Sequence, residues 1–366
     1  MPMPLLNRIL FGLFPSLILV LLAPRPLADT RPNFLFILID DLGWSDVGCF
    51  GSKYYETPSI DRFASTAMRF TNAYAACPVC SPTRASILTG KYPAKLHLTD
   101  YIPGEGNVRA GKMLIPKWTQ VLPESEVTIS RVLQQAGYAT ASIGKWHLGP
   151  PTATPDKYGF DVNVAGGAFG NPPDYFFPYG KPPQQLPHIS QSGQKGEYLT
   201  DRLTDEAEKF LISAKDKPFF LYFAHYAVHT PLLARPDLLA KYKAKKPVDE
   251  QKNAAYGAMV ESVDQSVGRI LKLLDDLKLA DHTIVVFFSD NGGLWPQATS
   301  NRPLRWGKGF AYEGGIREPL IIRWPGVTKA ASSSDTPIIS RWISIPRCWK
   351  WPGSRAMPSK TSMLTA

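Results

Sequence analysis

The residues best suited to chemistry begin with Cys80 and Arg84, in the run Cys80-Ser-Pro-Thr-Arg84. Pro82 suits the first turn of a helix, where its missing N–H has no intrahelical partner. The residue before it would then lie near the helix N-terminus, where backbone N–H groups and the dipole favour an anion. A lone Cys-x-x-x-Arg is more often a small buried cysteine in a turn. A second constellation is Asp40-Asp41, which closes an apolar run, Asn33-Phe-Leu-Phe-Ile-Leu-Ile39. Two carboxylates at the carboxyl end of a buried strand suit a hard cation, although Asp-Asp-x-Gly alone is also a common solvated turn. A third is Asp290-Asn291, which ends the β-branched and aromatic run Thr283-Ile-Val-Val-Phe-Phe288. With Asp40 and Asp41 it makes an all-oxygen donor set, which favours calcium or magnesium over zinc. Calcium is the better match, because it accepts bidentate carboxylates and flexible geometry. Lys145 and His147 follow another strand-like run; alone, such a Lys-x-His pair is usually surface.

Together these segments resemble the sulfatase family. Cys80-Ser-Pro-Thr-Arg84 running into Leu-Thr-Gly90 is similar to the sulfatase signature, and Asp40-Asp41-Leu-Gly43 to the family's metal-binding motif. Gly144-Lys-Trp-His-Leu-Gly149, His229-Thr-Pro231, Asp290-Asn291-Gly and Gly307-Lys-Gly…Tyr312-Glu-Gly-Gly-Ile-Arg-Glu-Pro319 match further motifs in the family's order. The resemblance covers roughly residues 30–340 and implies hydrolysis of a sulfate ester. It implies that a formylglycine-generating enzyme oxidises Cys80 to an aldehyde, whose hydrate attacks sulfur and later ejects sulfate. It implies a calcium site at Asp40, Asp41, Asp290, Asn291 and the modified Cys80, with magnesium the less favoured ion. Arg84 and Asp290 would hold the nucleophile. Lys145 and Lys308 would bind the sulfuryl oxygens, His229 or Lys308 would protonate the leaving oxygen, and His147 would drive sulfate release. His225, Glu313 and Arg317 are assigned structural roles. The implied substrate is a sulfated small molecule or glycan. A phosphodiester or phosphonate monoester hydrolase, or an inactive truncated chain, are the alternatives.

The elements that must position these residues read as α/β. Buried parallel strands are expected at 33–39, 138–143, 217–224 and 283–288, and a following strand at 320–326. Helices are expected at 128–136, capped by Thr128 and closed by Gly137, and at 256–279, where apolar residues recur at helical spacing. Glu261 and Asp264 fall on the polar face of the latter pattern. The implied architecture is a mixed, mostly parallel sheet flanked by helices, of the alkaline-phosphatase-like type, with a smaller C-terminal domain largely missing. Residues 101–125 read as a long surface loop. Residues 150–200, including Tyr175-Phe-Phe177, read as a substrate-facing lobe or a packed loop.

The chain has 366 residues and a net charge of +10, with basic residues scattered rather than striped, which excludes a nucleic-acid footprint. Residues 1–28 read as a secretory signal, with Arg8, an apolar run from Ile9 to Ala23, and Pro26-Leu27-Ala28 at the cleavage end. Export to the periplasm or exterior is expected. Four cysteines make no disulfide framework in a chain of this length; Cys49 and Cys77 are free or share one bridge. The catalytic domain is expected over 29–340. From about Arg341 the chain departs from the family and carries Trp342, Cys348, Trp349 and Trp351 with no Asp or Glu. Codons for Trp342-Ile, Trp349-Lys and Trp351-Pro, read one base out of frame, force Asp, Glu and Ala at the family's spacing. A frameshift product over 341–366 is the expectation.

Overall fold

The computed structural model describes residues 31–104, 109–110 and 112–339. The expected signal segment over 1–28 and the expected frameshift product over 341–366 lie outside the described residues.

The strands are β1 (Asn33–Ile39), β2 (Met68–Tyr74), β3 (Ala139–Gly144), β4 (Val162–Val164), β5 (Phe219–Ala224), β6 (Thr283–Ser289), β7 (Arg317–Arg323), β8 (Ser332–Ser334) and β9 (Ile338–Ile339). They form one nine-stranded sheet in the order β8-β2-β7-β6-β1-β5-β3-β4, with β9 also paired to β2. The run β6-β1-β5-β3-β4 is parallel. β7 is antiparallel to both β6 and β2. Every residue of β1, β5 and β6 is buried, as expected for central parallel strands covered on both faces. The even faces of β1 pack Phe34, Phe36 and Leu38 into one core layer, and the odd faces pack Leu35, Ile37 and Ile39 into the other.

The helices are α1 (Pro58–Ser65), α2 (Cys80–Thr89), α3 (Ile129–Gln135), α4 (Leu199–Ala214), α5 (Pro236–Ala244) and α6 (Ala254–Asp276). Thr128 caps α3 by accepting the Arg131 N–H, and Gly137 follows it in the left-handed region, at φ 84°. Among the described residues of 101–125 most are exposed or half-buried, and Ile102 and Leu122 are buried and anchor the loop. The lobe over 150–200 is packed rather than substrate-facing at its aromatics. Tyr175 and Tyr179 are fully buried, and Tyr175 stacks against Tyr198, with Phe176 tilted against the same ring. Cys49, Cys77 and Cys80 are all free thiols.

One expectation fails on α6. Glu261 and Asp264 do not lie on a solvated face; both are buried. Glu261 pairs with Lys241 of α5 at 2.8 Å. The Asp264 carboxylate accepts the backbone N–H of Ser59 at 3.1 Å and of Ile60 at 2.8 Å. It therefore caps the N-terminus of α1 from a distant helix, a contact that helical periodicity within α6 cannot reveal. Burial pushes the Asp264 carboxyl up to about 6, against opposition from those two amides. The folded value exceeds the unfolded one, so its stabilising contribution is present below about pH 4 and lost as pH rises through about 6. Asp264→Asn loses one amide bond at every pH. The stability difference, wild type minus variant, should nonetheless shrink by up to ~3 kcal/mol between pH 4 and pH 7. Urea unfolding at the two pH values measures it; a pH-independent difference would contradict the burial argument.

Candidate active site

The parallel strands deliver the candidate residues to one edge of the sheet, because parallel strands end on the same side. β1 runs out into Asp40 and Asp41, β6 into Asp290 and Asn291, β3 into Lys145 and His147, and β5 into His225 and His229. The strand ends are stitched together by backbone bonds. Asp290 N–H donates to the Ile39 carbonyl at 3.1 Å, Lys145 N–H to the Ala224 carbonyl at 2.7 Å, and Val228 N–H to the Asp40 carbonyl at 2.7 Å. Gly144 permits the approach of β3 to β5. It sits at φ 103°, and a Cβ there would lie 1.9 Å from the Ala224 carbonyl oxygen. Asp41 and His147 also hold left-handed backbones, at φ 61° and 59°. Such strain persists only where the surroundings over-determine it.

Cys80 opens α2, with Val79 as N-cap, and every residue of that helix is buried. One turn on, Arg84 reaches the Asp290 carboxylate through Nε and Nη2, both at 2.8 Å, and donates from Nη1 to the Lys145 carbonyl at 3.0 Å. Both partners have no solvent exposure. Lys145 Nζ lies 2.6 Å from Asp40 Oδ2. Lys308 Nζ lies 2.8 Å from Asp41 and 2.8 Å from His229 Nε2. His147 bonds the Ile102 carbonyl through Nε2, which ties the long loop to the site. Tyr175 donates its hydroxyl to the carbonyls of Tyr226 and His229, both at 2.8 Å, so the packed lobe holds the His229 turn.

The site therefore brings together Asp40, Asp41, Cys80, Arg84, Lys145, His147, His229, Asp290, Asn291 and Lys308. Ligand atoms of Asp40, Asp41, Cys80 and His229 all lie within 4.8 Å of one another. The inclusion of His229 was not part of the sequence-based metal set. His225 stays apart: it is fully buried against Phe223 and Ser266, and burial pushes its imidazole down to about 3.

The charges in the cluster set each other's protonation. Burial would raise the Cys80 thiol, but the ammonium groups of Lys145 and Lys308 outweigh it and hold the thiol well below its ordinary range. Burial likewise opposes the Asp41 carboxylate, and Lys308 overrides it, leaving that group below the usual range. Burial lowers His147, keeping it neutral near pH 7. Burial also opposes charge on His229, but Asp41 and Asp40 prevail and raise it. The two imidazoles are thus pushed in opposite directions around one thiol, which is how a site separates an acid from a base.

The donor set fits a hard cation. Asp40 Oδ1 and Asn291 Oδ1 are buried acceptors that receive no hydrogen bond. Each such orphan costs about 1–3 kcal/mol, and a cation would satisfy both. Asn291 also donates from Nδ2 to Asp41 Oδ1 at 2.7 Å, which fixes its amide beside the carboxylates.

Two supporting residues escaped the sequence reading. Asp46 is fully buried and accepts from Tyr256 at 2.5 Å, Thr299 at 2.7 Å and Gln251 at 3.0 Å. Asn301 accepts the Gly293 N–H at 3.2 Å and donates to the carbonyls of Gly293 at 2.9 Å and Trp306 at 3.1 Å. It thereby clamps the Asn291 loop to the Lys308 loop. A lone Asp or Asn in a loop carries no periodic signal; only its placement between two motifs marks it.

The fold and the site define an α/β protein with a buried cluster of paired carboxylates and cations at the carboxyl ends of a parallel sheet. A family model described as sulfatase matches residues 32–341, and the chain belongs to the sulfatase family. Human N-acetylgalactosamine-6-sulfatase is 36% identical over 335 residues, covering 85% of this chain and 59% of its own length. A sulfatase of Formosa agariphila is 35% identical over 392 residues, covering 90% of this chain and 69% of its own. The crystal structure of Ps i-CgsB superposes with a TM-score of 0.72 at 35% identity, covering 85% of this chain and 70% of that one. The same protein in complex with k-i-k-neocarrahexaose gives 0.71 at 34% identity. The chain spans about 60% of the length of the N-acetylgalactosamine-6-sulfatases it matches.

Arg84 is the residue whose loss the cluster should tolerate least. Arg84→Met leaves Asp290 buried beside Asp40 without its counter-charge and should cost about 3–5 kcal/mol. Adding Asp290→Asn to that variant should recover a measurable part, because the stranded charge is removed. A denaturation double-mutant cycle reads this coupling; simple additivity would show that the pair is not interdependent.

Proposed function

We propose that the chain hydrolyses sulfate esters, with Cys80 as the position of the nucleophile. The observation that carries this reading is the thiol's setting. Cys80 begins a buried helix, lies within 4.8 Å of ligand atoms from two aspartates and a histidine, and has its charge governed first by Lys145 and Lys308 among its neighbours. Membership of the sulfatase family supports it. The reading includes conversion of Cys80 to formylglycine by a formylglycine-generating enzyme; the hydrated aldehyde supplies a hydroxyl nucleophile and a second hydroxyl for release. It also includes a calcium ion held by Asp40, Asp41, Asp290 and Asn291 with position 80, which supplies Lewis acidity toward the sulfuryl oxygens.

The chain's own residues perform the remaining tasks. Arg84, fixed by Asp290, holds the start of α2 in place over the carboxylates. Lys145 and Lys308 bring ammonium groups to an enclosed site, where charge stabilisation is stronger than in water. His229, with its proton favoured by Asp41 and Asp40, protonates the leaving oxygen, and the Lys308 ammonium stands 2.8 Å from its Nε2. His147, kept neutral by burial, accepts the proton whose removal expels sulfate. The substrate is a sulfated glycan or a sulfated small molecule. Residues 1–28, with their apolar run after Arg8, direct export.

Cys80→Ala should abolish hydrolysis of a chromogenic aryl sulfate in protein matured with its modifying enzyme, and mass spectrometry of the residue-80 peptide should show the aldehyde in wild type. Retained turnover in Cys80→Ala would refute the nucleophile. His147→Ala should lower kcat by about 10²–10⁴-fold while leaving substrate binding intact. A separate expectation concerns the metal. Calcium at about one hundred times its Kd should stabilise the wild type by about 2.7 kcal/mol, seen as a rise in Tm of several degrees. Asn291→Ala should lose most of that rise, and an equal rise in both proteins would place the ion elsewhere.

A further inference from the structure

A cavity of about 940 Å³ lies outside the charge cluster, between the loop after β1, the turn before α6 and the loop after β6. None of the ten candidate residues lines it. Its volume falls within the roughly 300–1,000 Å³ of small-molecule sites. Trp44, Trp295 and Trp306 contribute half-buried indoles to its walls. Trp295 and Trp306 meet edge to face, with centroids 4.9 Å apart. The Arg317 guanidinium lies over the Trp44 ring at 5.0 Å, which fixes that indole in place. The rim is polar: Asp249 and Glu250 supply acceptors, and Arg302 supplies donors and pairs with Glu250 at 3.2 Å. Asp249, Glu250 and Trp306 all hold left-handed backbones, at φ 50°, 67° and 63°. Strain concentrated in the walls of one cavity is the pattern of ligand clamps.

The lining selects a ligand class. Rigid amphipathic rings offer apolar faces at low entropic cost. Two carboxylates, Asp249 and Glu250, and two guanidiniums, Arg302 and Arg305, around them suit a ligand whose edge carries many hydroxyls, each both donor and acceptor. A wholly apolar ligand would desolvate the carboxylates without return. A phosphate-rich ligand would face Asp249 and Glu250. A sugar ring, with an apolar face and a hydroxyl rim, meets both demands.

The cavity also shares its wall with the reacting end. Trp306 lies two residues before Lys308, and Asn301, itself a lining residue, binds the carbonyls of both Gly293 and Trp306. Lys308 N–H donates to the same Gly293 carbonyl at 3.1 Å. An occupant would therefore sit against the loop that carries Lys308.

We propose that this cavity is a distal subsite for an unsulfated sugar of an oligosaccharide, so that the preferred substrate is a sulfated glycan of several units. This rests on the sulfate-ester reading. The test compares a chromogenic aryl sulfate, a sulfated monosaccharide and a sulfated oligosaccharide carrying the same sulfated end unit. Wild type should show a KM at least tenfold lower for the oligosaccharide than for the monosaccharide. Trp295→Ala should abolish that advantage and leave kcat/KM for the aryl sulfate within twofold. Asp249→Ala, on the exposed rim, should reduce the advantage and guards against a folding defect in the first variant. A second arm uses the desulfated oligosaccharide alone, which should quench intrinsic tryptophan fluorescence in wild type and not in Trp295→Ala. Quenching without turnover of any sulfate ester would uphold the subsite and overturn the proposed reaction. Turnover with no length advantage and no quenching would overturn the subsite.

Discussion

The ion pair between Arg84 and Asp290 is the contact on which the site depends. It is wholly buried, with Nε and Nη2 of Arg84 converging on one oxygen, Asp290 Oδ2, and it joins the helix that begins at Cys80 to the end of β6. Such a pair is a poor source of net stability, because two desolvated charges repay little more than their cost. Its value is positional. The planar guanidinium brackets that oxygen, and its remaining amino group donates to the Lys145 carbonyl and brings in the end of β3. Three elements separated widely in sequence are thus referenced to one planar group. Cys80 stands one helical turn from that group, so its place relative to Asp40 and Asp41 follows from it.

Around that reference the cluster closes its own charge balance. Asp40, Asp41 and Asp290 face Arg84, Lys145 and Lys308. A divalent cation on the carboxylate oxygens would share them with Lys145 and Lys308 and leave the site with excess positive charge. An anionic sulfate ester would then offset part of that excess in an enclosed region, where Coulomb interactions are strong. The orphaned oxygens of Asp40 and Asn291 fit this account, since they are acceptors that the lysines do not reach.

Much of this was legible in the sequence because it is local. The central strands are unbroken apolar runs, and each ends in a polar pair or triplet of the candidate site, so β1 with Asp40-Asp41 and β6 with Asp290-Asn291 could be read directly. Thr128 and Gly137 marked the ends of α3 for the same reason. What could not be read depends on partners far along the chain. Asp264 looked like a solvated residue of an amphipathic helix, yet it caps α1 some two hundred positions earlier. Tyr175 fell in a stretch that read as a substrate-facing lobe or a packed loop, and nothing in it signalled that its hydroxyl bridges two carbonyls of the His229 turn. The pairing of His229 with Lys308 has no sequence signature at all, because neither motif predicts the other's approach.

The same distinction separates the two regions of this chain that the structure describes. The charge cluster is built at strand ends, where the sheet imposes position and a side chain has little freedom. The tryptophan-lined cavity is built from loops, with walls held in left-handed backbone at Asp249, Glu250 and Trp306. Loops on a rigid scaffold are where specificity can vary without disturbing the core. Asn301 joins the two regions: its single amide bonds the loop after Asn291 and the loop before Lys308. A ligand that pressed on Trp306 would act on a segment already fixed at Gly293, so its effect would reach Lys308 through two residues of constrained backbone. On the proposed reading, recognition of the distal part of a substrate and placement of the Lys308 ammonium are properties of one short loop.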